Sequence, residues 1–242
     1  VANPRVTVNN TGLQPWTATS YDLSLESYHI KDGFGSIGVF QKRVRIFFGV
    51  VNTPATPELL ALHGLENDPT LLDYEISTRT NAGDATINGV EFGYRQSLTF
   101  LPRWARGFQI FANATKLSLS GSNTADFTGY NPETVAGGIN FVRPRFFLKG
   151  TVSYQGDTRR ALVAQSATVP ADTYNYQAKR TRIGLNAQYS LSKRYSIYVS
   201  MVDLGGFIQD LERYAPNTPD YAKGTRWQEL GFYTNIGIRG TF

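Results

Sequence analysis

The segment Arg180-Thr181-Arg182-Ile183-Gly184-Leu185-Asn186-Ala187-Gln188-Tyr189-Ser190-Leu191 shows the pattern that decides the fold class of this chain. Apolar residues occupy every second position from Ile183 to Leu191, and polar or small residues stand between them. Successive side chains of a β-strand point to opposite faces, so a period of two predicts a strand. One face of this strand is apolar and the other is polar.

The same period recurs along the chain, which gives about nine amphipathic strands and predicts an all-β fold. The other segments are Tyr21–Glu26, Phe40–Phe48, Val90–Thr99, Phe108–Thr115, Thr134–Phe141, Arg145–Gln155, Tyr195–Met201 and Leu230–Phe242. In the second of these segments the apolar face is predicted to carry Phe40, Val44, Ile46 and Phe48. Only Pro57–His63, inside a connection, has the pattern of a short helix.

The composition is that of a folded chain without a metal or thiol centre. Charged residues make up 18% of the 242 residues, below the usual share of about 25%, and aromatic residues make up 13%. The absence of cysteine excludes a disulfide scaffold, a thiolate metal site and a cysteine nucleophile. The only histidines are His29 and His63, and no carboxylate pair has a supporting constellation of residues. We therefore predict no cofactor, no bound metal, no catalytic residues and no enzyme activity.

The charge and hydropathy narrow the class of partner. A net charge of +5 would admit nucleic acid, but the basic residues are spread over separate strands and turns. Arg159-Arg160 and Lys179-Arg180 are interpreted as a solvated rim, and no nucleic-acid partner is predicted. No run approaches the roughly 20 apolar residues of a membrane helix, whereas the strands of a membrane barrel are apolar only at every second position.

The connections between the predicted strands alternate in length. Short connections are predicted at Lys31–Gly33, Leu101–Arg106, Val142–Pro144 and Ser192–Arg194, and long ones at Gly49–Leu71, Gly121–Glu133, Asp157–Tyr174 and Leu204–Thr225. Outer-membrane barrels have short periplasmic turns and long extracellular loops, whereas soluble sandwiches mix the two lengths. The sequence therefore predicts an antiparallel transmembrane β-barrel whose apolar face meets the lipid bilayer. Two alternatives remain: a small complete outer-membrane barrel acting as a porin or adhesin, and a soluble β-sandwich binding module.

Two sets of residues are candidates for contact with a ligand. Aromatic rings in and beside the long connections would offer flat, rigid contact surface; these are Tyr174, Tyr176, Tyr214, Tyr221 and Trp227. Charged residues on the polar face would line the barrel lumen; these are Glu26, Glu91, Arg95, Lys149, Arg182 and Arg239. For any one of the charged residues, the alternative is a hydrated charge that only keeps the lumen wet.

Several stretches resemble the C-terminal barrel portion of TonB-dependent receptors. Asn10–Trp16 leading into Tyr21–Glu26 is similar to the lead-in and first strand of that portion, and Asn88–Phe92 is similar to its x-G-x-E strand start. Leu101-Pro102 followed by Arg106–Phe108 resembles one of its periplasmic turns. The last segment, Leu230–Phe242, resembles the strand that ends an outer-membrane barrel with a terminal phenylalanine.

This resemblance implies a receptor in the outer membrane of a Gram-negative bacterium, with a barrel of 22 strands and an N-terminal plug. Residues 1–242 would be the C-terminal part of the barrel, with the plug absent from this chain. The receptor would take up a scarce small-molecule or glycan nutrient (a siderophore, a vitamin or a glycan) with energy from the TonB complex, which acts through the plug. The barrel-assembly machinery would recognise the final strand through Phe232, Ile236, Ile238 and Phe242.

Overall fold

The computed structural model describes residues 4–121, 127–163 and 168–241. The strands in these residues are β1 (Arg5–Val8), β2 (Thr17–Ser27), β3 (Gly33–Pro54), β4 (Glu75–Ser97), β5 (Phe108–Gly121), β6 (Glu133–Val142), β7 (Phe146–Gln155), β8 (Thr158–Leu162), β9 (Tyr174–Gln177), β10 (Arg180–Ser190), β11 (Tyr195–Val202), β12 (Leu211–Tyr214), β13 (Gly224–Arg226) and β14 (Tyr233–Gly240). Helix α1 spans Pro57–Leu62, and two 3₁₀ turns span Pro69–Asp73 and Asp220–Ala222. None of these helical segments has the length and apolar character needed to cross a membrane.

The main sheet of the described residues is one antiparallel series of nine strands. Its order is β2-β3-β4-β5-β6-β7-β10-β11-β14, so neighbours in the sheet follow one another along the chain apart from the short strands of the loops. Residues 28–32, 98–107, 143–145 and 191–194 connect strands at one end, the short-turn end. Residues 55–74, 122–132, 156–179 and 203–232 connect them at the other, the long-loop end. The predicted strand number and the predicted alternation of loop length are both confirmed.

The two faces of the main sheet differ as the period of two predicts. One face, the apolar face, carries exposed aliphatic and aromatic side chains, among them Leu23, Leu25, Ile37, Val39, Val90, Phe92, Val135, Ile139, Val152, Ile183, Ile236 and Ile238. The opposite face of the same strands is the polar face. In a β-sandwich the apolar face would be packed against a second sheet. Exposure of this face matches a barrel wall that meets lipid.

The register of strand β3 corrects one prediction, that of the face of the sheet on which its apolar side chains lie. Val39 pairs with Leu23 and Val90 on the apolar face, so the neighbouring Phe40, and with it Val44, lies on the polar face. The Phe40 ring covers Gly89 and occupies the space that a Cβ at this position would need. A β-bulge between Val44 and Phe47, with Ile46 at φ 50°, then interrupts the alternation. The prediction that Phe40, Val44, Ile46 and Phe48 share the apolar face is therefore wrong.

Strands β3 and β4 extend beyond the predicted segments at the long-loop end. Their ladder continues to the pair Pro54 and Glu75, so residues 49–54 of the predicted 49–71 connection and residues 75–89 before the next predicted strand belong to it. Strand β1 runs parallel to the first residues of β4 and adds a third strand there. Helix α1 follows, with the Thr56 side chain accepting a hydrogen bond from the Leu59 amide as its N-cap. This helix confirms the one predicted within Pro57–His63.

The last strand is shorter than predicted. β14 covers Tyr233–Gly240, and it pairs with β11 on one side only, just as β2 pairs with β3 only. Ile236 and Ile238 lie on the exposed apolar face, and Phe232 precedes the strand. Phe242 lies outside the described residues. The sheet therefore has two open edges in the part of the chain that the structure describes.

Candidate functional site

A second, four-stranded sheet covers the long-loop end. Two connections build it: residues 156–179 supply β8 and β9, and residues 203–232 supply β12 and β13. The order is β13-β12-β9-β8, and the antiparallel pairing of β9 with β12 joins the two connections. We call this the loop sheet. It fixes in one place residues that lie far apart in the sequence.

Three of the predicted aromatic residues meet in the loop sheet. The Tyr176 and Tyr214 rings are stacked, with centroids 3.9 Å apart and planes 5° apart. Tyr174 contacts Tyr176 edge-on, with the ring centroids 6.4 Å apart. Such pairs stabilise a fold by about 0.5–1.5 kcal/mol beyond the area that they bury. We call these residues the tyrosine cluster.

Two cations lie over the tyrosine cluster. The Arg159 guanidinium carbon is 4.7 Å from the centre of the Tyr174 ring, and the Lys223 Nζ is 4.8 Å from the centre of the Tyr214 ring. Cations in these positions are attracted by the negative face of an aromatic ring. The Arg159 Nε is buried and has no hydrogen-bond partner among the described residues. A buried donor without a partner is rare in folded proteins, and Arg159 lines the cavity described next.

A cavity of about 300 Å³ lies between the loop sheet, the middle of β4 and the end of β5. Tyr176 and Tyr214 line one part of it, and Asp157 and Arg159 bring one charge of each sign. The remaining lining is mostly apolar or uncharged: Ala85, Leu119, Ser120, Gly121, Phe127, Tyr130 and Pro132. A mostly apolar pocket with a few placed polar groups is typical of a small-molecule site.

Burial controls the protonation of the groups around this cavity. Desolvation, followed by the nearby Asp157 carboxylate, raises the pKa of Tyr214, whose hydroxyl lies 3.4 Å from the Asp157 Oδ2. Desolvation also raises the pKa of Tyr176 and of Glu212. Both phenols are therefore neutral hydrogen-bond donors at neutral pH.

An ion pair on the polar face holds the start of one of the two connections. Arg182 donates from its Nε to the Asp203 Oδ1 at 2.6 Å and from a terminal nitrogen to the Oδ2 at 3.0 Å. The Arg180 and Arg182 guanidinium carbons lie 5.3 and 5.1 Å from the centre of the Phe207 ring. These contacts join β10 to the connection that carries β12 and β13. Arg182, predicted as a lumen residue, thus has a structural partner.

The other predicted contact residues are not brought together. Tyr221 is 92% exposed in a 3₁₀ turn, and Trp227 is 75% exposed and packs over Gly224, so neither lines the cavity. All six predicted lumen residues lie on the polar face, distributed from β2 to β14. The Lys149 Nζ is 5.3 Å from the Phe111 ring, and the Arg239 guanidinium carbon is 5.8 Å from the Tyr198 ring. The six predicted lumen residues therefore form no single site.

Sequence reasoning missed the polar half of the site. Asp157, Tyr130 and Phe127 were not singled out, and the interpretation of Arg159 as part of a solvated rim is wrong. The available signal was the spacing of Asp157 and Arg159 on either side of Thr158, because side chains two residues apart in an extended chain point to the same side. Among residues 4–121, 127–163 and 168–241, no three histidine or carboxylate side chains are grouped as a metal site requires.

Comparison with known proteins gives one family and several solved structures of similar fold. The sequence profile of a family described as TonB dependent receptor-like, beta-barrel matches residues 1–204. No curated protein matches the chain in sequence.

Solved structures resemble the chain in fold. One is a variant of the ferric enterobactin receptor of Pseudomonas aeruginosa in complex with enterobactin (TM-score 0.62, 16% identity, 97% of this chain and 33% of that chain covered). Another is the ferripyoverdine receptor of the outer membrane of Pseudomonas aeruginosa (0.56, 14%, 94% and 27%). A third is a siderophore receptor of Acinetobacter baumannii (0.59, 13%, 95% and 32%). The chain spans about a third of the length of these receptors or less.

Proposed function

This chain belongs to the TonB-dependent receptor family of outer-membrane β-barrels, and from that premise we propose that it acts in the uptake of a scarce nutrient across the outer membrane. Proteins of this family are receptors and transporters, not enzymes, and lie in the outer membrane of Gram-negative bacteria. In our proposal the TonB complex supplies the energy, through a plug domain outside this chain. Residues 1–242 form the C-terminal part of the barrel.

The open edges of the main sheet support a larger barrel. Backbone amide and carbonyl groups that face lipid without partners cost several kcal/mol each, so a sheet with free edges does not rest in a bilayer. In the described residues, β2 and β14 each lack a partner on one side. We propose that each pairs with a strand outside this chain. Pairing of β2 with β14 in a small monomer would instead support the alternative of a complete porin or adhesin barrel.

The tyrosine cluster above the cavity is the observation that carries the ligand-binding part of the proposal. It offers stacked rings, two phenols and the Arg159 guanidinium, whose buried Nε has no partner among the described residues. The site lies at the long-loop end, which faces outward in this family. Planar rings and anionic oxygen acceptors are the groups that such a site recognises. Ferric catecholate siderophores, with aromatic rings and anionic oxygen ligands, have both properties. A vitamin or a glycan would use the ring faces without the guanidinium.

Binding measurements test the site directly. Ferric enterobactin and neutral oligosaccharides are titrated into the protein purified from outer membranes, with intrinsic fluorescence as the readout. We expect Tyr176→Ala and Arg159→Gln each to weaken binding of the ferric chelate by about tenfold, which corresponds to about 1.4 kcal/mol. The matched control is Tyr221→Ala, because Tyr221 lies outside the cavity.

The outcomes separate the ligand classes. Weakening by Tyr176→Ala without an effect of Arg159→Gln indicates an uncharged ligand such as a glycan. An equal effect of Tyr221→Ala, or no effect of any variant, contradicts the assignment of the site.

Thiol labelling tests the orientation. The chain has no cysteine, so a single cysteine at Tyr221 or at Lys193 gives a clean signal. An impermeant reagent should label Tyr221→Cys on intact cells and Lys193→Cys only after the membrane is ruptured. The reverse pattern would overturn the topology while leaving the fold in place.

A further inference from the structure

The cavity at the loop sheet contains two opposite charges that do not pair with each other. Asp157 and Arg159 both line it, and they lie two residues apart, roughly 6–7 Å along an extended chain. No ion pair among the described residues includes either of them. Opposite charges this close in a partly buried site attract each other, so other contacts must hold them apart.

Those contacts are made with the tyrosine cluster and with the next turn of the chain. The Arg159 guanidinium leans over the Tyr174 ring, with its carbon 4.7 Å from the ring centre. The register of β8 with β9 places Tyr174 on the side of Arg159 away from Asp157. The Asp157 Oδ1 accepts a hydrogen bond from the Lys179 backbone amide at 2.6 Å, and its Oδ2 lies 3.4 Å from the Tyr214 hydroxyl. The two charged groups are therefore held at separate positions along the cavity wall.

The backbone that carries the two charges is fixed as well. The Arg159 amide donates to the Tyr130 carbonyl at 2.9 Å, and the Arg159 carbonyl accepts from the Gly129 amide at 2.8 Å. The Asn131 side-chain amide donates to the Thr158 Oγ1 at 2.8 Å, between the two charges. The spacing of the charges is thus set before a ligand arrives, which lowers the entropy cost of binding.

Each charged group keeps bonding capacity for a ligand. The Arg159 Nε is buried and has no hydrogen-bond partner among the described residues. A carboxylate accepts at about four lone-pair positions, and the bonds to Lys179 and Tyr214 occupy at most two on Asp157. The nearby Lys223 is engaged with Asp220 at 2.6 Å. The cavity therefore presents an unfilled donor and an unfilled acceptor side by side.

We infer that the cavity takes the zwitterionic end of a ligand, an α-amino-acid group whose ammonium binds Asp157 and whose carboxylate binds Arg159. The inference rests on the proposed uptake function and names the chemical class of its substrate, a nutrient that carries such an end beside a ring. A purely anionic end would face the Asp157 carboxylate, and a purely cationic end would leave the Arg159 Nε unpaired. A neutral sugar would satisfy neither charge.

The size of the cavity agrees with an end group of this kind. Its volume of about 300 Å³ is at the lower limit of small-molecule pockets. Leu119 and Phe127 supply apolar lining for the ring, and Tyr176 and Tyr214 supply aromatic lining. The cavity thus suits one ring-bearing end of a ligand, with the remainder outside the loop sheet.

Three catechols with one carbon skeleton test the inference. Levodopa carries both the ammonium and the carboxylate, hydrocaffeate carries only the carboxylate, and dopamine carries only the ammonium. Isothermal titration calorimetry measures the affinity of each for the protein purified from outer membranes. We expect levodopa to bind about tenfold more tightly than either of the others. This comparison uses the unsubstituted protein, so it does not depend on the folding of a variant.

Substitutions assign the two halves of the zwitterion. Asp157→Asn should abolish the advantage of levodopa over hydrocaffeate, because the ammonium loses its partner, and should keep its advantage over dopamine. Arg159→Gln should do the reverse. The matched controls are Asp172→Asn and Arg160→Gln, because both residues are exposed in the same connection and lie outside the cavity lining. We expect both controls to keep the affinities of the unsubstituted protein.

The contrary outcomes separate this inference from the proposed function. Equal affinities for the three catechols, all weakened by Tyr176→Ala, would overturn the inference and leave the ligand site in place. Binding of ferric enterobactin without binding of levodopa would have the same meaning. Loss of the levodopa advantage in either control variant would show a general effect of loop charge and overturn the inference. Failure of all four ligands to bind would contradict the proposed function together with the inference.

Discussion

The main sheet and the loop sheet are both built from β-ladders, but they differ in strand length and in the continuity of their register. Strands of the main sheet have 8 to 23 residues, and most of their register is continuous. Strands of the loop sheet have 3 to 5 residues, and their register shifts in two of three pairings. The surroundings of the two sheets, lipid for one and water for the other, explain this difference in strand length and register. In lipid every backbone group must be paired within the wall, whereas above the membrane water satisfies unpaired groups.

The source of stability differs accordingly. In the main sheet, the backbone ladder and the lipid-facing side chains hold each strand in place. In the loop sheet, the short ladders are supplemented by stacked tyrosines and by cations over their rings. Substitutions that place a charge in lipid should therefore act on the whole fold, and substitutions in the tyrosine cluster should act locally.

The largest effect is expected at the middle of the apolar face. Leu185 lies near the centre of β10 on that face, and an arginine there should lower the free energy of unfolding by about 2–4 kcal/mol. Asn186→Arg, one residue along and on the polar face, should cost much less. Denaturant unfolding in lipid vesicles measures both. Equal costs would show that the alternation does not separate lipid from lumen.

A smaller, local effect is expected in the tyrosine cluster. Tyr214→Ala removes the stacked pair with Tyr176 and should weaken the loop sheet by about 0.5–1.5 kcal/mol beyond the lost burial. Hydrogen exchange should then quicken at β9 amides and remain slow in β10. Tyr221→Ala serves as the control. Faster exchange throughout the main sheet would contradict the separation of the two regions.

The ion pair that links the two sheets should contribute still less to the free energy of unfolding. The Arg182 side chain is 42% exposed, so solvent screens its ion pair with Asp203, and we expect a coupling energy below about 1 kcal/mol. A double-mutant cycle with Arg182→Gln and Asp203→Asn measures it, since asparagine tolerates the φ of 61° at this position. Proteolysis of the 203–232 connection should increase in each single variant. A coupling of several kcal/mol would show that the pair is part of the main wall.

The smallest effect is expected on the stability of the loop sheet as the pH rises above the physiological range. Burial and the Asp157 carboxylate raise the pKa of Tyr214 above the ordinary 10.0, so the folded loop sheet favours the protonated phenol. Its contribution to stability is complete below about pH 10 and is lost as the pH rises through the folded-state pKa. Near-ultraviolet circular dichroism follows this loss, and Tyr214→Phe should remove it. Loss of the signal below pH 9 in the unsubstituted protein would contradict the predicted direction.

The regular strands of the membrane wall could be read from the sequence with small errors. The segment Arg180–Leu191 forms β10 over Arg180–Ser190, and the last segment lost only its ends. Strand β3 could not be read fully, because the bulge at Ile46 and the Phe40 ring over Gly89 break the simple alternation. The first half of β4 is polar on both faces, because it stands above the membrane, and so has no alternation to detect.

The candidate site could be predicted only as separate residues. Tyr174, Tyr176 and Tyr214 stood out as aromatic residues in or beside long connections, but so did Tyr221 and Trp227, which lie elsewhere. Composition cannot distinguish these two groups. The difference arises from the pairing of β9 with β12, which brings residues of two connections into contact.

The sequence by itself determined the fold class, the strand number, the order of short and long connections and the family. The fold class, the strand number and the order of connections follow from the demand of lipid that strands alternate and that backbone groups be paired, whereas the family follows from short motifs and the match over residues 1–204. The tertiary structure alone decided which tyrosines stack and that Arg159 and Asp157 line the cavity. Those contacts join strands through register and loop packing, which depend on the whole sheet and leave no periodic signal in any one segment.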